Sequence, residues 1–590
     1  MDKIDLEEKM EISSTQEETI PLATRRKGGL LTMPFIIANE SFEKVASYGI
    51  LPNMIFYLLR GYNMSAADGS SLLQLWSAFS NFTPLFGAFL SDSYLGRFLT
   101  IALGSVFSLL GMTVLWLTAM IPSAKPPPGQ NPNTAQKLML YGSFILMSLG
   151  AGGIRPCSIA FGADQLIRKG NPNNKRILQS YFSFYYASIG ISTVIALTII
   201  VYIQDHKGWR VGFGIPAILM LLSVLAFYIG YPLYLRVNAD TSLFTGLGQV
   251  MVVAFRNKSL AHPADGNYHI GKETSIVTPS RHLRFLNKAS IIRNPQNDVN
   301  PDGSAVNPWK LCTIEQVEAL KSLIRIIPIW STGIIIFMSV TGGTLTVLQA
   351  STMDRHMSSS FQIPAGSFAV FTVITVTIWV AFYDQVVVPL MAKYTSHKRG
   401  FSSVMRIGMG LVLSILGMAV SAWVEIIRRR RAIREGLADN PRGVVEMSAF
   451  WLVPQFVIGG LAEGLNAVGQ IEFYYSQLPK NMASLAMGLF SLNNAFAGLL
   501  GSFLVKTVDR ITRRGGKTSW VDSNPNKGHY HYYYWFLAIL SAANLVYFLL
   551  CCWTYGPLEE VKPRDSDEKE VLKEGESSIY KELPSSSTTS

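Results

Sequence analysis

The sequence predicts an all-α membrane protein of twelve transmembrane helices arranged as two six-helix bundles. Three observations lead there. Of 590 residues, 49% are hydrophobic and only 15% charged. Apolar runs of about 20 residues, enough for a helix to cross hydrocarbon, recur along the chain. One long polar stretch divides those runs into equal halves. A soluble chain of this length would carry charge on about one residue in four, so the deficit means that much of the surface faces something other than water.

The runs lie near 31–59, 71–91, 98–121, 138–160, 181–203 and 212–235 (spans 1 to 6), then 323–346, 365–391, 403–427, 447–474, 484–508 and 532–555 (spans 7 to 12). The expected organisation is a cytoplasmic N-terminal tail at 1–29, a first bundle at 30–236, a cytoplasmic linker at 237–318, a second bundle at 319–556, and an acidic, Ser-rich, disordered cytoplasmic tail at 557–590. Equal halves joined by a hydrophilic connector are the hydropathy pattern of the major facilitator architecture, in which two bundles rock about a central site. Residues 1–29 show no n-region and h-region, so span 1 itself must direct insertion.

Basic residues in short loops mark the cytoplasmic side. In the first half, Arg97, Arg168, Lys169, Lys175 and Arg176 all fall on the side of the N-terminus. The second half breaks the rule, because RRRRAIRE at 428–435 and the loop at 510–527 sit on the opposite face. The orientation is taken from the first half, since early helices dominate insertion, and loss of one helix near 400–480 is the alternative. The net charge of +12 sits in loops between apolar stretches, which suits lipid headgroups and not nucleic acid. Four cysteines form no disulfide framework, no metal-ligand spacing or cofactor motif appears, and no nucleophile–base pair suggests an enzyme.

Span 1 contains NESFEKVASYG, which puts Glu40, Glu43 and Lys44 at i, i+3 and i+4 on one helical face. At mid-bilayer each would cost on the order of 2–3 kcal/mol, so the cluster implies a polar interior. A local ion pair that merely offsets its own cost is the plainer alternative. The surplus argues against it: two carboxylates to one amine leave a group able to take up a proton, and a carboxyl whose cation neighbour comes and goes is a natural proton carrier. Span 4 offers a partner, Arg155 in GAGGIRPCSIAFGADQ, where four glycines allow close backbone approach; a purely structural salt bridge is the other possibility. After span 2, GAFLSDSYLGR supplies Gly87, Asp92, Gly96 and Arg97, a loop motif of major facilitators suited to latching helix ends in one conformation. A degenerate counterpart runs from Asp384 to Gly400. Thr100, just past Arg97, is a candidate for a regulatory kinase, since a phosphate there would add about 1.5–2 negative charges beside the latch.

Together ESFEKVASYG, GAFLSDSYLGRFLT, GAGGIRPCSIAFGADQ, LIRIIPIW, STMDR and PQFVIGGLAEGLNAVGQIEFYYSQLPKNMAS resemble the plant nitrate/peptide transporter family, part of the proton-coupled oligopeptide transporter superfamily. The resemblance implies a symporter of the plasma membrane, or alternatively the vacuolar membrane. Its partners would be protons and a small solute; it says nothing of oligomeric state. It implies proton handling at Glu40 and Glu43, a basic residue at Arg155 where lysine is usual, and a substrate-facing acid at Glu463 in GGLAEG. The family's ExxER is ExxEK here, and Lys44 keeps the charge but loses the planar fork. Where some nitrate-carrying relatives have an anion-binding histidine, anchoring on LTVLQASTMDR places Ser339. Tyr48, Trp330 and Tyr383 are further candidates for the cavity wall, with packing as the alternative, and Lys321 is expected to snorkel to the interface. The expected function is proton-driven movement of a small anion, nitrate first. Peptides, acidic hormones or glucosinolate-like anions are the alternative, and a receptor or scaffold with vestigial transport is a reading of another class.

Overall fold

The computed structural model describes residues 28–555, apart from 168–172, 237–242, 261–267, 272–278, 395–399, 480–481 and positions 281, 302 and 342. Both terminal tails and the basic residues Arg168, Lys169, Lys398 and Arg399 lie outside the described residues.

Twelve membrane-crossing segments stand among the described residues. Span 1 is Met33–Ile50 continued by Met54–Gly61, span 2 Ala66–Leu90, and span 3 Gly96–Met120. Span 4 is Thr134–Ile154 followed by Ser158–Leu166, span 5 runs from Asn174–Ile195 into Val201–Lys207, and span 6 is Trp209–Ile229. The second half repeats the count. Span 7 is Ile314–Thr341 with Thr344–Ser351, span 8 runs from Val370–Phe382 into Val388–Tyr394, and span 9 is Ser403–Arg434. Spans 10 to 12 are Val453–Gln477, Ala483–Thr512 and Tyr530–Tyr555.

Nine described stretches are long and apolar enough to cross a membrane on composition alone, and one of them, Ala66–Met120, holds both spans 2 and 3. The two crossing helices left out are spans 1 and 10. They carry Glu40, Glu43, Lys44 and Glu463, so the helices least suited to lipid hold the charges that need shelter.

Within the first bundle, backbones pack directly on one another. A Cβ on Gly87 would overlap the Gly152 carbonyl oxygen, and one on Gly104 would stand 2.9 Å from the Gly150 carbonyl oxygen, so spans 2 and 3 press on span 4 through glycine. The second bundle echoes this, with Gly410 facing the Ala462 carbonyl and Gly469 the Ser403 carbonyl, each at 2.9 Å from an added Cβ. Gly96 (φ 73°) and Gly400 (φ 81°) make the matching turns that lead into spans 3 and 9.

The basic residues that break the loop-charge rule are occupied structurally. Arg428 is fully buried at the end of span 9 opposite the linker, the end expected to be extracellular, and is bidentate to Glu425 through two 2.7 Å bonds. Its remaining donors reach Thr352 Oγ1 at 2.9 Å, Asn526 Oδ1 at 2.6 Å and the Pro525 carbonyl at 2.7 Å. Arg429 bonds the Gly528 carbonyl, and Arg431 that of Glu446. These arginines tie the extracellular loops of the second bundle together and carry no topological message. Lys321, expected to snorkel, is buried too. It pairs with Glu318 at 2.7 Å and bonds the Ser280 carbonyl at 2.9 Å, clamping the linker to span 7.

The two bundles meet at their extracellular ends. The Ala66 amide donates to Ser523 Oγ at 2.9 Å, the Ser71 and Ser502 hydroxyls share a 2.7 Å bond, and Arg355 stands 3.5 Å from Asp205. The Tyr202 and Phe361 rings stack beside that pair. This conformer is closed on the face opposite the 237–318 linker, the face expected to be extracellular.

Breaking a buried pair strands a charge at a cost of about 3–5 kcal/mol. Arg428→Ala should therefore lower the thermal unfolding midpoint in detergent strongly, while Arg434→Ala, on the exposed last turn of span 9, should leave it unchanged; scanning fluorimetry checks both.

Candidate functional site

Span 1 is rotationally fixed before its charges are considered. Asn39 Nδ2 donates to Ser223 Oγ at 2.8 Å and to the Ser223 carbonyl at 3.1 Å, and the Ser223 hydroxyl donates back to the Asn39 carbonyl at 2.8 Å. Gly49 lets Ile200 of span 5 pack against the backbone, and Gln204 Nε2 caps the Gly49 carbonyl at 2.9 Å. Locked on two sides, the helix turns Glu40, Glu43 and Lys44 inward, all nearly water-inaccessible in this conformer.

Lys44 Nζ lies 3.1 Å from Glu40 Oε1 and 3.3 Å from Glu43 Oε2, so one ammonium is shared by two carboxylates. Ser47 donates to Glu43 Oε1 at 2.7 Å, and the Tyr185 phenol of span 5 is directed at Glu40. Glu40 keeps one buried oxygen, Oε2, with no hydrogen bond or ion pair among the described residues, and the Oε2 of Glu43 has only the Lys44 ammonium. Arg155 stands across the Tyr48 ring. Its guanidinium is 6.0 Å and the Lys44 ammonium 5.8 Å from the ring centroid, and its charge acts on Glu43. Among the described residues its one bond is a long 3.5 Å contact to the Ser80 carbonyl, and its Nε is buried without a partner. Pro156, which has no amide proton, ends the first part of span 4 immediately after this arginine.

The energetics are finely balanced. At 3.1 Å and an effective dielectric near 20, each Lys44–carboxylate attraction is about 5 kcal/mol. Burial of an ion costs several kcal/mol against that. A proton arriving on either glutamate removes one attraction and leaves Lys44 with a single counter-ion. Such a cluster has distinct arrangements separated by one protonation.

The other expected site residues divide. Tyr48 is partly exposed between the two cations, and Glu463 is half-buried with no hydrogen bond or ion pair among the described residues. Ser339, Trp330 and Tyr383 are instead held in packing. Ser339 shares a 3.2 Å bond with Ser541 of span 12, and the Trp330 indole donates to the Leu489 carbonyl at 2.8 Å. Tyr383 lies at the cytoplasmic end, where its hydroxyl accepts from the Phe401 amide at 2.9 Å beneath Arg406. In each case a neighbouring polar group has already taken the side chain that would have faced a solute.

At the cytoplasmic latch Arg97 pairs with Asp164 at 2.5 Å, and Asp92 stands by, half-buried in the turn after span 2. The second bundle mirrors this with Arg406 and Glu472 at 2.9 Å. Both carboxylates sit near the cytoplasmic end of the helix that follows their arginine, a relation visible only once the two halves are superposed in register. Gly87 serves the close approach to Gly152 already described, and Gly96 the turn. Thr100 is buried, its hydroxyl donating to the Gly96 carbonyl at 2.9 Å, so in this conformer a kinase has no access to it. Sequence reasoning also missed Asn39, Ser47, Tyr185 and Ser223. The signal available was a polar residue inside an apolar run, which Asn39 and Ser223 both satisfy.

Two six-helix bundles closed at one end, with a shared buried ion cluster at the waist, define a membrane transporter of the major facilitator type. The POT family profile, PTR2, matches residues 98–521. Two Arabidopsis thaliana proteins are similar along nearly the whole chain. Protein NRT1/ PTR FAMILY 1.2 is 53% identical over 551 residues, covering 90% of this chain and 91% of its own, and Protein NRT1/ PTR FAMILY 1.1 is 50% identical over 574, covering 94% and 97%. Among solved structures, an auto-inhibited POT family peptide transporter aligns with a TM-score of 0.66 at 20% identity over 90% of this chain and 98% of its own. The POT family transporter PepTSo aligns at 0.65 and 18% over 89% and 98%. This chain belongs to the POT family and, within it, to the NRT1/PTR transporters.

A part-exposed pair such as Arg97–Asp164 is worth about 0.5–1 kcal/mol, a two- to fivefold shift in a conformational equilibrium. Asp164→Asn should change the labelling rate of a cysteine introduced at this end of the bundle by that factor, and Asp92→Asn by less; equal effects would make Asp92 as much a partner in the latch as Asp164.

Proposed function

We propose that this protein is a proton-coupled symporter of a small anionic solute at the plasma membrane, with nitrate the first candidate. The observation that carries the reading is the shared ammonium: Lys44 between Glu40 and Glu43, with Arg155 across Tyr48. Entry of an anion against an inside-negative potential of about 100 mV is opposed by roughly 2.3 kcal/mol, and two protons per nitrate reverse the sign of the charge moved. Two carboxylates beside two cations provide two sites for those protons. Protonation weakens the hold on Lys44 and frees cationic character toward Arg155, where an oxyanion gains from charge-assisted bonds. Loss of the protons to the cytoplasm restores the cluster and expels the anion.

A second reading is favoured by one feature. Glu463 is a carboxylate unpaired among the described residues, which suits the amine of a peptide-like solute better than an inorganic anion. The two readings separate experimentally: Glu463→Gln should abolish peptide uptake and leave nitrate uptake within about twofold.

Glu40→Gln and Glu43→Gln should each remove acid-stimulated current by tenfold or more, about the effect of one charge-assisted bond, with surface expression intact. Voltage-clamp recording with nitrate at acidic and neutral external pH reads this directly. Undiminished acid stimulation in both variants would refute the reading.

A further inference from the structure

A cavity of about 1110 Å³ lies away from the ion cluster, on the outer flank of spans 2, 4 and 11. Its mouth is at the extracellular end, where Asn63, Ser65, Asp68, Asn131, Lys137 and Lys506 line it. Below the mouth the walls are apolar, with Leu75, Phe79, Phe82, Phe86, Ile145 and Leu149. Phe79, Phe86 and Ile145 are about half exposed, at 49%, 57% and 56%. The helical faces explain its position. On span 2, Ser80 and Thr83 face span 4, and Ser71 and Gln74 face span 11. The stripe Leu75, Phe79, Phe82, Phe86 lies between those directions and looks outward to lipid. From Asp68 to Phe86 the crevice follows span 2 for roughly 27 Å at 1.5 Å per residue, close to the hydrocarbon thickness of a bilayer.

A polar mouth over a long apolar trough has the dimensions and polarity of a membrane lipid. Its volume exceeds the usual range for a small-solute pocket. The charges at the mouth narrow the choice. Two ammoniums and one carboxylate are present, and Lys506 stands 3.8 Å from Asp68 in an exposed, loosely made pair. A headgroup with one negative and one positive end complements all three.

We propose that the crevice binds one phospholipid bearing a primary ammonium, of the phosphoethanolamine type. Its phosphate sits between Lys137 and Lys506, its ammonium on Asp68, and its acyl chains lie along Phe79, Phe82 and Leu149. Because Lys137 and Asp68 belong to the first bundle and Lys506 to the second, the site is complete only when the bundles are joined at this end. Bound lipid therefore holds the extracellular side shut. The carboxylate selects the ammonium headgroup over a purely anionic one, which it repels.

The test is lipid binding to the purified, delipidated full chain by native mass spectrometry, with phosphatidylethanolamine, phosphatidylcholine and phosphatidylglycerol as probes. Phosphatidylethanolamine should bind tightest. The double variant Lys137→Gln/Lys506→Gln should weaken all three by roughly tenfold or more. Asp68→Asn should erase the preference for phosphatidylethanolamine over phosphatidylglycerol, and Lys258→Gln in the linker should change nothing. A diazirine-acyl phosphatidylethanolamine on the unsubstituted chain should crosslink to the peptides holding Phe79, Phe82 and Leu149, a readout that needs no variant to fold. Unchanged affinities in the double variant, a phosphatidylglycerol preference in the natural chain, or crosslinks spread evenly around the bundle would each overturn the proposal.

Discussion

One ammonium shared by two carboxylates in a region closed to water is the interaction on which the rest of the structure turns. Lys44 holds Glu40 and Glu43 together and satisfies neither alone: Glu43 also needs the Ser47 hydroxyl, and the Oε2 of Glu40 has no bond among the described residues. Such an arrangement is costly in a membrane and persists only if its surroundings hold it. The Asn39–Ser223 bonds and the seat of Gly49 on Ile200 supply that hold by fixing the rotation of span 1. The one soft partner is Arg155, poised by a single long contact on a helix that Pro156 interrupts.

Rigidity elsewhere complements that softness. Spans 2, 3 and 4 meet glycine on backbone, so the first bundle moves as a body. In the second bundle Arg428 gathers Glu425, Thr352, Pro525 and Asn526 into one knot, so the extracellular loops move with their helices. Between these two bodies span 11 packs closely on span 2, where a Cβ on Gly498 would stand 2.6 Å from the Gln74 carbonyl oxygen, but the polar contacts are few: hydroxyl bonds, a 3.5 Å ion pair and a 3.8 Å one. Buried polar knots within each bundle, and only exchangeable polar bonds beside the close packing of spans 2 and 11, suit two bodies that rock against each other.

The sequence was most legible where polarity violated its surroundings. Three charges in span 1 and one in span 10 stood out against apolar runs, and the helix count followed from length alone. Sequence was less informative where a role depends on what lies opposite. Arg428 read as an offence against loop charge, because nothing local reveals that Thr352 and Asn526 come to meet it. Asp92 and Arg97 read as parts of one latching motif without a partner in view, and the bond that Arg97 makes goes to Asp164 across the bundle. Ser339, Trp330 and Tyr383 carried the right chemistry for a cavity wall, and neighbours in spans 11 and 12 and in the loop before span 9 had already engaged them. Thr100 lies at the edge of a loop in sequence but under the Gly153 backbone in space.

The central claim is that the span 1 carboxylates couple solute movement to protons and are not simply ballast for Lys44. Isotope counterflow in proteoliposomes separates the two, because exchange of labelled for unlabelled solute needs no net proton movement, whereas accumulation against a gradient does. The account predicts that Glu43→Gln retains counterflow and loses concentrative uptake under an imposed pH gradient. Concentrative uptake equal to that of the natural chain would contradict it.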